Sequence, residues 1–132
     1  MSAELRRTIQ SEVDLRRVVL ESISFSQEAG FAEAPSRMIA TAVSELARNI
    51  LKYAGSGACR LRRVEGTGCK GIEIEVSDHG PGIADVEGAM RDHFSSGGTL
   101  GLGLPGVKRM MDEFSLESSP GQGTRVTARK WI

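Results

Sequence analysis

Two cysteines, Cys59 and Cys69, are all that the 132 residues contain, and neither forms a C-x-x-C pair or clusters with the two histidines, His79 and His93. A disulfide framework, a zinc ribbon and a redox couple are therefore disfavoured against two unrelated thiols in a reducing compartment. Excess charge is missing as well. Seventeen Lys and Arg balance seventeen Asp and Glu, so the chain has no general electrostatic pull towards nucleic acid or an anionic membrane. No apolar run reaches transmembrane length, and Met1-Ser2-Ala3-Glu4-Leu5-Arg6-Arg7 lacks the apolar core of a signal peptide. The expectation is a cytoplasmic protein with neither nucleic acid nor membrane as partner. Internal repeats, interdomain linkers and a G-x-x-x-x-G-K-[ST] loop are also lacking, which favours one domain over residues 1–132 and excludes P-loop chemistry.

What is present alternates between two periods. Leu5 to Glu12 alternates as a first strand would. Asp14 is placed to cap a helix carrying Leu15, Val18, Val19 and Ile23 and ending near Gly30. Pro35 suits the first turn of a second helix that runs to about Ala54, where Gly55 stops it. Its apolar residues, from Met38 and Ile39 through Val43 and Leu46 to Ile50, Leu51 and Ala54, recur at helical spacing and mark a core-facing stripe. Gly57–Val64 and Gly71–Ser77 are expected to be strands joined by a turn over Glu65–Lys70, with Ile72, Ile74 and Val76 on one face. A short helix is expected over Asp85–Asp92, a mobile segment over His93–Leu100, and a helix over Pro105–Glu113. Phe114–Ser118 and Thr124–Trp131 then close the fold as two strands around Ser119-Pro120-Gly121-Gln122-Gly123. The order β-α-α-β-β-α-β-β predicts an α/β two-layer sandwich. Its sheet should be a mainly antiparallel mixed sheet, and its helices should lie on one face.

Three segments carry candidate chemistry. On a helix advancing ~100° per residue, Thr41, Glu45, Asn49 and Lys52 fall within an arc of about 80°, off the centre of the apolar stripe. A carboxylate there can accept a proton from an attacking hydroxyl, and an amide oxygen is a hard ligand suited to Mg²⁺. An ordinary solvated helix face has the same composition. Asp78 enters the turn Gly80-Pro81-Gly82, where missing Cβ atoms let a flat ring approach and the acid can accept from an exocyclic amine. Turn chemistry alone also explains that loop. Gly101-Leu102-Gly103-Leu104-Pro105-Gly106 matches G-x-G-x-x-G, but no strand precedes it and too little chain follows for a dinucleotide fold or a kinase lobe. Leu100, Leu102 and Leu104 are too apolar for a linker. The loop is expected to cradle phosphate at a helix N-terminus.

Taken together, the run Ser44–Ile50, the run Asp78–Ile83 and the run Gly101–Gly106 resemble the N, G1 and G2 boxes of the GHKL ATPases, the group that includes type II topoisomerases and histidine kinases. Gly123-Thr124 resembles that group's further Gly-Thr element. The resemblance extends from about Val13 to the C-terminus. The small size, together with Gly103–Leu116 and the ending Lys130-Trp131-Ile132, points within the group to the anti-sigma and switch serine kinases of stressosome pathways. It implies a Bergerat ATP-binding fold and transfer of phosphate from ATP to a serine or threonine of STAS-domain partners. It also implies activation of a PP2C-type phosphatase by the released kinase. By motif position, Glu45 would be the base and Asn49 would hold Mg²⁺ with ATP. Asp78, Gly80, Gly82 and Ile83 would form the adenine side, helped by Thr124. Gly101, Leu102, Gly103, Leu104 and Gly106 would wrap the phosphates, and residues 92–100 would be a lid. Many anti-sigma kinases carry His where this chain has Tyr53, which weakens the alternative of an anti-sigma factor that inhibits a sigma factor.

Overall fold

The computed structural model describes residues 3–83, 88, 90 and 103–132. Their elements run β1 Glu4–Ile9, α1 Glu12–Ala29, α2 Glu33–Tyr53, β2 Gly57–Gly66, β3 Cys69–Asp78, α3 Gly103–Met110, β4 Glu113–Ser118 and β5 Thr124–Trp131. The strands form one sheet in the order β1-β2-β3-β5-β4, antiparallel at all four pairings. The helices cover one face, giving the two-layer sandwich that the element order implies. No helix among the described residues is long and apolar enough to cross a membrane.

Register sorts the side chains between the faces. Leu61 pairs with Ile74 and Ile74 with Ala128, a row that is fully buried beneath the helices. Ile39, Val43, Leu46 and Ile50 of α2 meet it from the other side, also essentially without exposure. Each such aliphatic side chain contributes about 1.5–3 kcal/mol by leaving water. Met38, which the periodicity assigned to the stripe, is instead 43% exposed at its margin.

Several boundaries shift for identifiable reasons. The helix cap at α1 is Ser11, not Asp14: the Ser11 side chain accepts from the Asp14 N–H at 3.2 Å, while the Asp14 carboxylate accepts from the Gln10 N–H at 2.9 Å. This reciprocal arrangement resembles a capping box and ends β1 before residue 10. The β2–β3 strands continue to a Gly66–Cys69 pair, so Cys69 opens a strand rather than lying in a long turn. At the far end, Glu113 joins β4 instead of closing α3. The Asp112 N–H donates to Arg129 O at 2.8 Å, and Asp112 Oδ2 accepts from the Trp131 N–H at 2.7 Å, tying this segment to β5. The helix expected over 85–92 falls almost wholly outside the described residues, and the lid expected over 92–100 falls outside them entirely.

The face away from the helices carries a row of alternating charge. Glu4 pairs with Arg62, Arg62 with Glu73, Glu73 with Arg129 and Arg129 with Glu113, across all five strands. Alternation with Ile72 and Ile74 puts Glu73 on this outer face, yet it is 3% exposed. Its two carboxylate oxygens accept from Arg62 Nε and Arg129 Nε, each at 2.8 Å. In this register each neighbour along the row carries the opposite charge, and such cross-strand pairs stabilise the pairing. Burial pushes the Glu73 carboxyl up, but hydrogen bonds from Arg62 and Arg129 outweigh it and hold the group below the ordinary glutamate value. A depressed value adds stability that is complete above the ordinary pKa and is lost as pH falls through the folded one. Glu73→Gln should therefore cost about 2 kcal/mol near neutrality, under the full cost of breaking a buried pair because both arginines remain partly exposed. Urea unfolding should show the gap between variant and wild type closing in acid. A gap independent of pH would refute the role of the charge.

Candidate functional site

A cleft of about 290 Å³ opens between α2, the loop after β3 and the start of α3. Its polar wall on α2 contains Glu45 and Asn49, half-buried and one helical turn apart, with Arg48 and Lys52 on the same stretch. Opposite are Asp78 at the end of β3 and Thr124 at the start of β5, which are cross-strand partners. Leu46, Ile50, Val76, Ile83, Leu104 and Val126 make the remaining wall apolar. A flat, largely apolar ring with one polar edge suits such a space, since a few placed acceptors orient what the apolar wall holds.

Gly82 of the loop after β3 and Gly123 of the β4–β5 turn let these two segments approach closely. Gly82 has φ +79°, and a Cβ there would come within 2.0 Å of the Ser119 carbonyl oxygen. Gly123, also at φ +79°, would place a Cβ 2.2 Å from the Asp78 carbonyl oxygen. Only glycine permits both the backbone conformation and the approach. The Gly121 N–H donates to Pro81 O at 2.8 Å, which fastens the turn to the loop. Gly80 does not line the cleft. It packs on Ala54 and donates its N–H to Asp78 Oδ1 at 2.9 Å, holding that carboxylate. Gly103 and Leu104 line the wall where α3 begins, whereas Gly106 is buried within α3. Gly101 and Leu102 lie outside the described residues.

Positive charge gathers at the α2 side. Arg48 Nη1 is 3.9 Å from Glu12 Oε1, and Lys52 Nζ is 5.2 Å from the centre of the Tyr53 ring. Arg48, Lys52 and the start of α3 all line the cleft, and cationic side chains with a helix N-terminus suit phosphate. Among the described residues no three His, Cys, Asp or Glu side chains come together as a metal cage. Asn49, whose amide oxygen is a hard donor on this wall, is the residue that would hold Mg²⁺ brought with a nucleotide. The exposed His79 takes no part in lining the cleft.

Sequence reasoning identified Glu45, Asn49, Asp78, Gly82, Ile83, Gly103, Leu104 and Thr124, and all of them line this one cleft. It missed Arg48, Tyr53 and the apolar pair Val76 and Val126 as lining residues. It also missed Ser118, whose hydroxyl joins Ile83, Gly123 and Thr124. Strand alternation places Ser118, like Leu116, on the helix side, and that is the only signal that could have found it.

A two-layer sandwich with an acid–amide pair on one helix facing an acid–threonine pair on the sheet defines an ATPase-type nucleotide domain. Residues 34–131 match the family described as histidine kinase-, DNA gyrase B-, and HSP90-like ATPase, and the chain belongs to that family. Among its relatives is the serine/threonine-protein kinase RsbT of Bacillus subtilis (strain 168), 51% identical over 107 residues that cover 81% of this chain and 80% of that protein. The anti-sigma F factor of Thermoanaerobacter sp. (strain X514) is 36% identical over 99 residues, covering 71% and 68%. That of Caldanaerobacter subterraneus subsp. tengcongensis is 37% identical over 98 residues, with the same two coverages.

Proposed function

We propose that this chain is an ATP-dependent serine/threonine protein kinase of the partner-switching type. It phosphorylates STAS-domain partners in the cytoplasm and, once released from them, activates a PP2C-type phosphatase. The observation that carries the proposal is the placement of Glu45 and Asn49 on one cleft wall, one turn apart, in a chain 51% identical to a named serine/threonine kinase.

Each part of the cleft has a task. Asp78 accepts a hydrogen from the adenine amine with the carboxylate oxygen that Gly80 does not occupy. The apolar residues around it hold the ring and exclude water. Arg48, Lys52 and the start of α3 bind and orient the phosphates. Mg²⁺, held by Asn49 and the phosphates, would offset charge on the transferred group. Glu45 accepts the proton that the partner's serine Oγ must lose as it attacks.

Incubation with γ-labelled ATP and a STAS protein from the same organism should leave the label on a serine or threonine of that protein. Label found only as free phosphate would refute the kinase. The resemblance to anti-sigma F factors supports a second function, binding and inhibition of a sigma factor. Immobilised chain with ATP should retain STAS proteins in preference to sigma factors, and the reverse preference would establish the second function.

A further inference from the structure

We infer that Ser118 is a specificity-determining positioning residue: it fixes the Thr124 hydroxyl as a hydrogen-bond acceptor and so helps the cleft to choose adenine over guanine. The inference rests on the assignment of the cleft as the adenine site. It goes beyond that assignment by naming the residue that sets the polarity of one wall.

Asp78, Thr124 and Ser118 form one cross-strand row, Asp78 paired with Thr124 and Thr124 with Ser118. All three share the side of the sheet that carries Val76, Val126 and Leu116. The Ser118 hydroxyl has one hydrogen to give and two lone pairs to receive. Its oxygen accepts from the Ile83 N–H at 2.7 Å, and a peptide N–H can only donate. Its own hydrogen goes to Gly123 O at 2.9 Å, and a carbonyl can only accept. The third contact, to Thr124 Oγ1 at 2.9 Å, is a hydrogen bond only if Thr124 donates. Thr124 has a single hydroxyl hydrogen, so what it offers the cleft is lone pairs.

The consequence is chemical. Gly80 occupies one Asp78 oxygen, so the row presents the other Asp78 oxygen and Thr124 Oγ1, both acceptors, to a ligand edge. An exocyclic amine supplies hydrogens to such a pair. A carbonyl at the same position, as in guanine, meets acceptor with acceptor and leaves both unpaired. Without Ser118 the Thr124 hydroxyl is free to rotate and can donate to a carbonyl.

The experiment compares ATP and GTP dissociation constants by calorimetry for wild type, Ser118→Ala, Ser118→Thr, Thr124→Val and the double variant Ser118→Ala with Thr124→Val. Ser118→Ala should lower the ATP preference by about five- to tenfold, the worth of one hydrogen bond. A merely structural loosening of the loop would weaken both nucleotides alike and leave their ratio unmoved. Ser118→Thr restores a hydroxyl and should restore the ratio. Adding Ser118→Ala to Thr124→Val should change the ratio no further, since the hydroxyl it positions is gone. An unchanged ratio in Ser118→Ala, or a further loss in the double variant, overturns the inference. If Asp78→Asn still destroys the preference in that case, the adenine assignment stands without it. Equal affinity of the wild type for ATP and GTP overturns the assignment and the inference together.

Discussion

Replacing Glu45 by alanine should slow phosphate transfer to a STAS-domain partner by ~10²–10⁴-fold, the usual worth of a positioned general base. ATP affinity should stay near that of the wild type. Glu45 stands one turn before Asn49 on α2 and both line the cleft, and under the proposed function its carboxylate is the base for the incoming hydroxyl. Asn49→Ala should behave differently, lowering transfer and Mg²⁺-dependent affinity together, because a metal ligand acts in ground state and transition state alike. Single-turnover transfer at saturating ATP and partner separates the two. Wild-type transfer by Glu45→Ala would mean that positioning and metal electrostatics carry the reaction without a base.

Asp78→Asn should weaken ATP binding by about 10–100-fold, the cost of a mispaired buried polar group. The direction follows from Gly80. Its N–H donates to Asp78 Oδ1, so an asparagine keeps its oxygen there and turns its NH₂ into the cleft. A donor then faces the adenine amine, also a donor. The same change offers a hydrogen to the guanine carbonyl, so GTP should lose little and the preference should narrow or reverse. Calorimetry showing equal losses for ATP and GTP would show that Asp78 supports the loop without reading the base.

Much of this site was legible because it lies on local periodicities. The 3.6-residue spacing placed Glu45 and Asn49 on one helix face, and the alternation of Ile72, Ile74 and Val76 fixed the side from which Asp78 projects. Ser118, Glu73 and Val126 were not legible in the same way. Their surroundings depend on which strands become neighbours: β5 inserts between β3 and β4, and β3 pairs with it across the intervening α3. Alternation reveals faces but not neighbours. Alternation alone therefore puts Glu73 on the outer face without showing Arg62 and Arg129 beside it, and puts Ser118 at a strand end without showing Ile83 and Thr124 around its hydroxyl. Gly80 and Gly123 teach a related lesson. Gly80 belongs to the turn read as open to a flat ring and Gly123 to the Gly-Thr element, yet the atoms a Cβ would strike there belong to Ala54 and to the Asp78–His79 backbone.

The most direct measurement follows the γ-phosphate when the partner's hydroxyl is removed. A preformed complex of the chain, ATP and Mg²⁺ is mixed with a STAS protein, and ADP and phosphoserine (or phosphothreonine) are quantified in the same quenched samples. Phosphate transfer to a protein hydroxyl predicts one ADP for each residue modified, with both products abolished when that residue of the partner is changed to alanine. ADP appearing at an unchanged rate with the alanine partner would show that the cleft delivers phosphate to water, and would contradict the kinase.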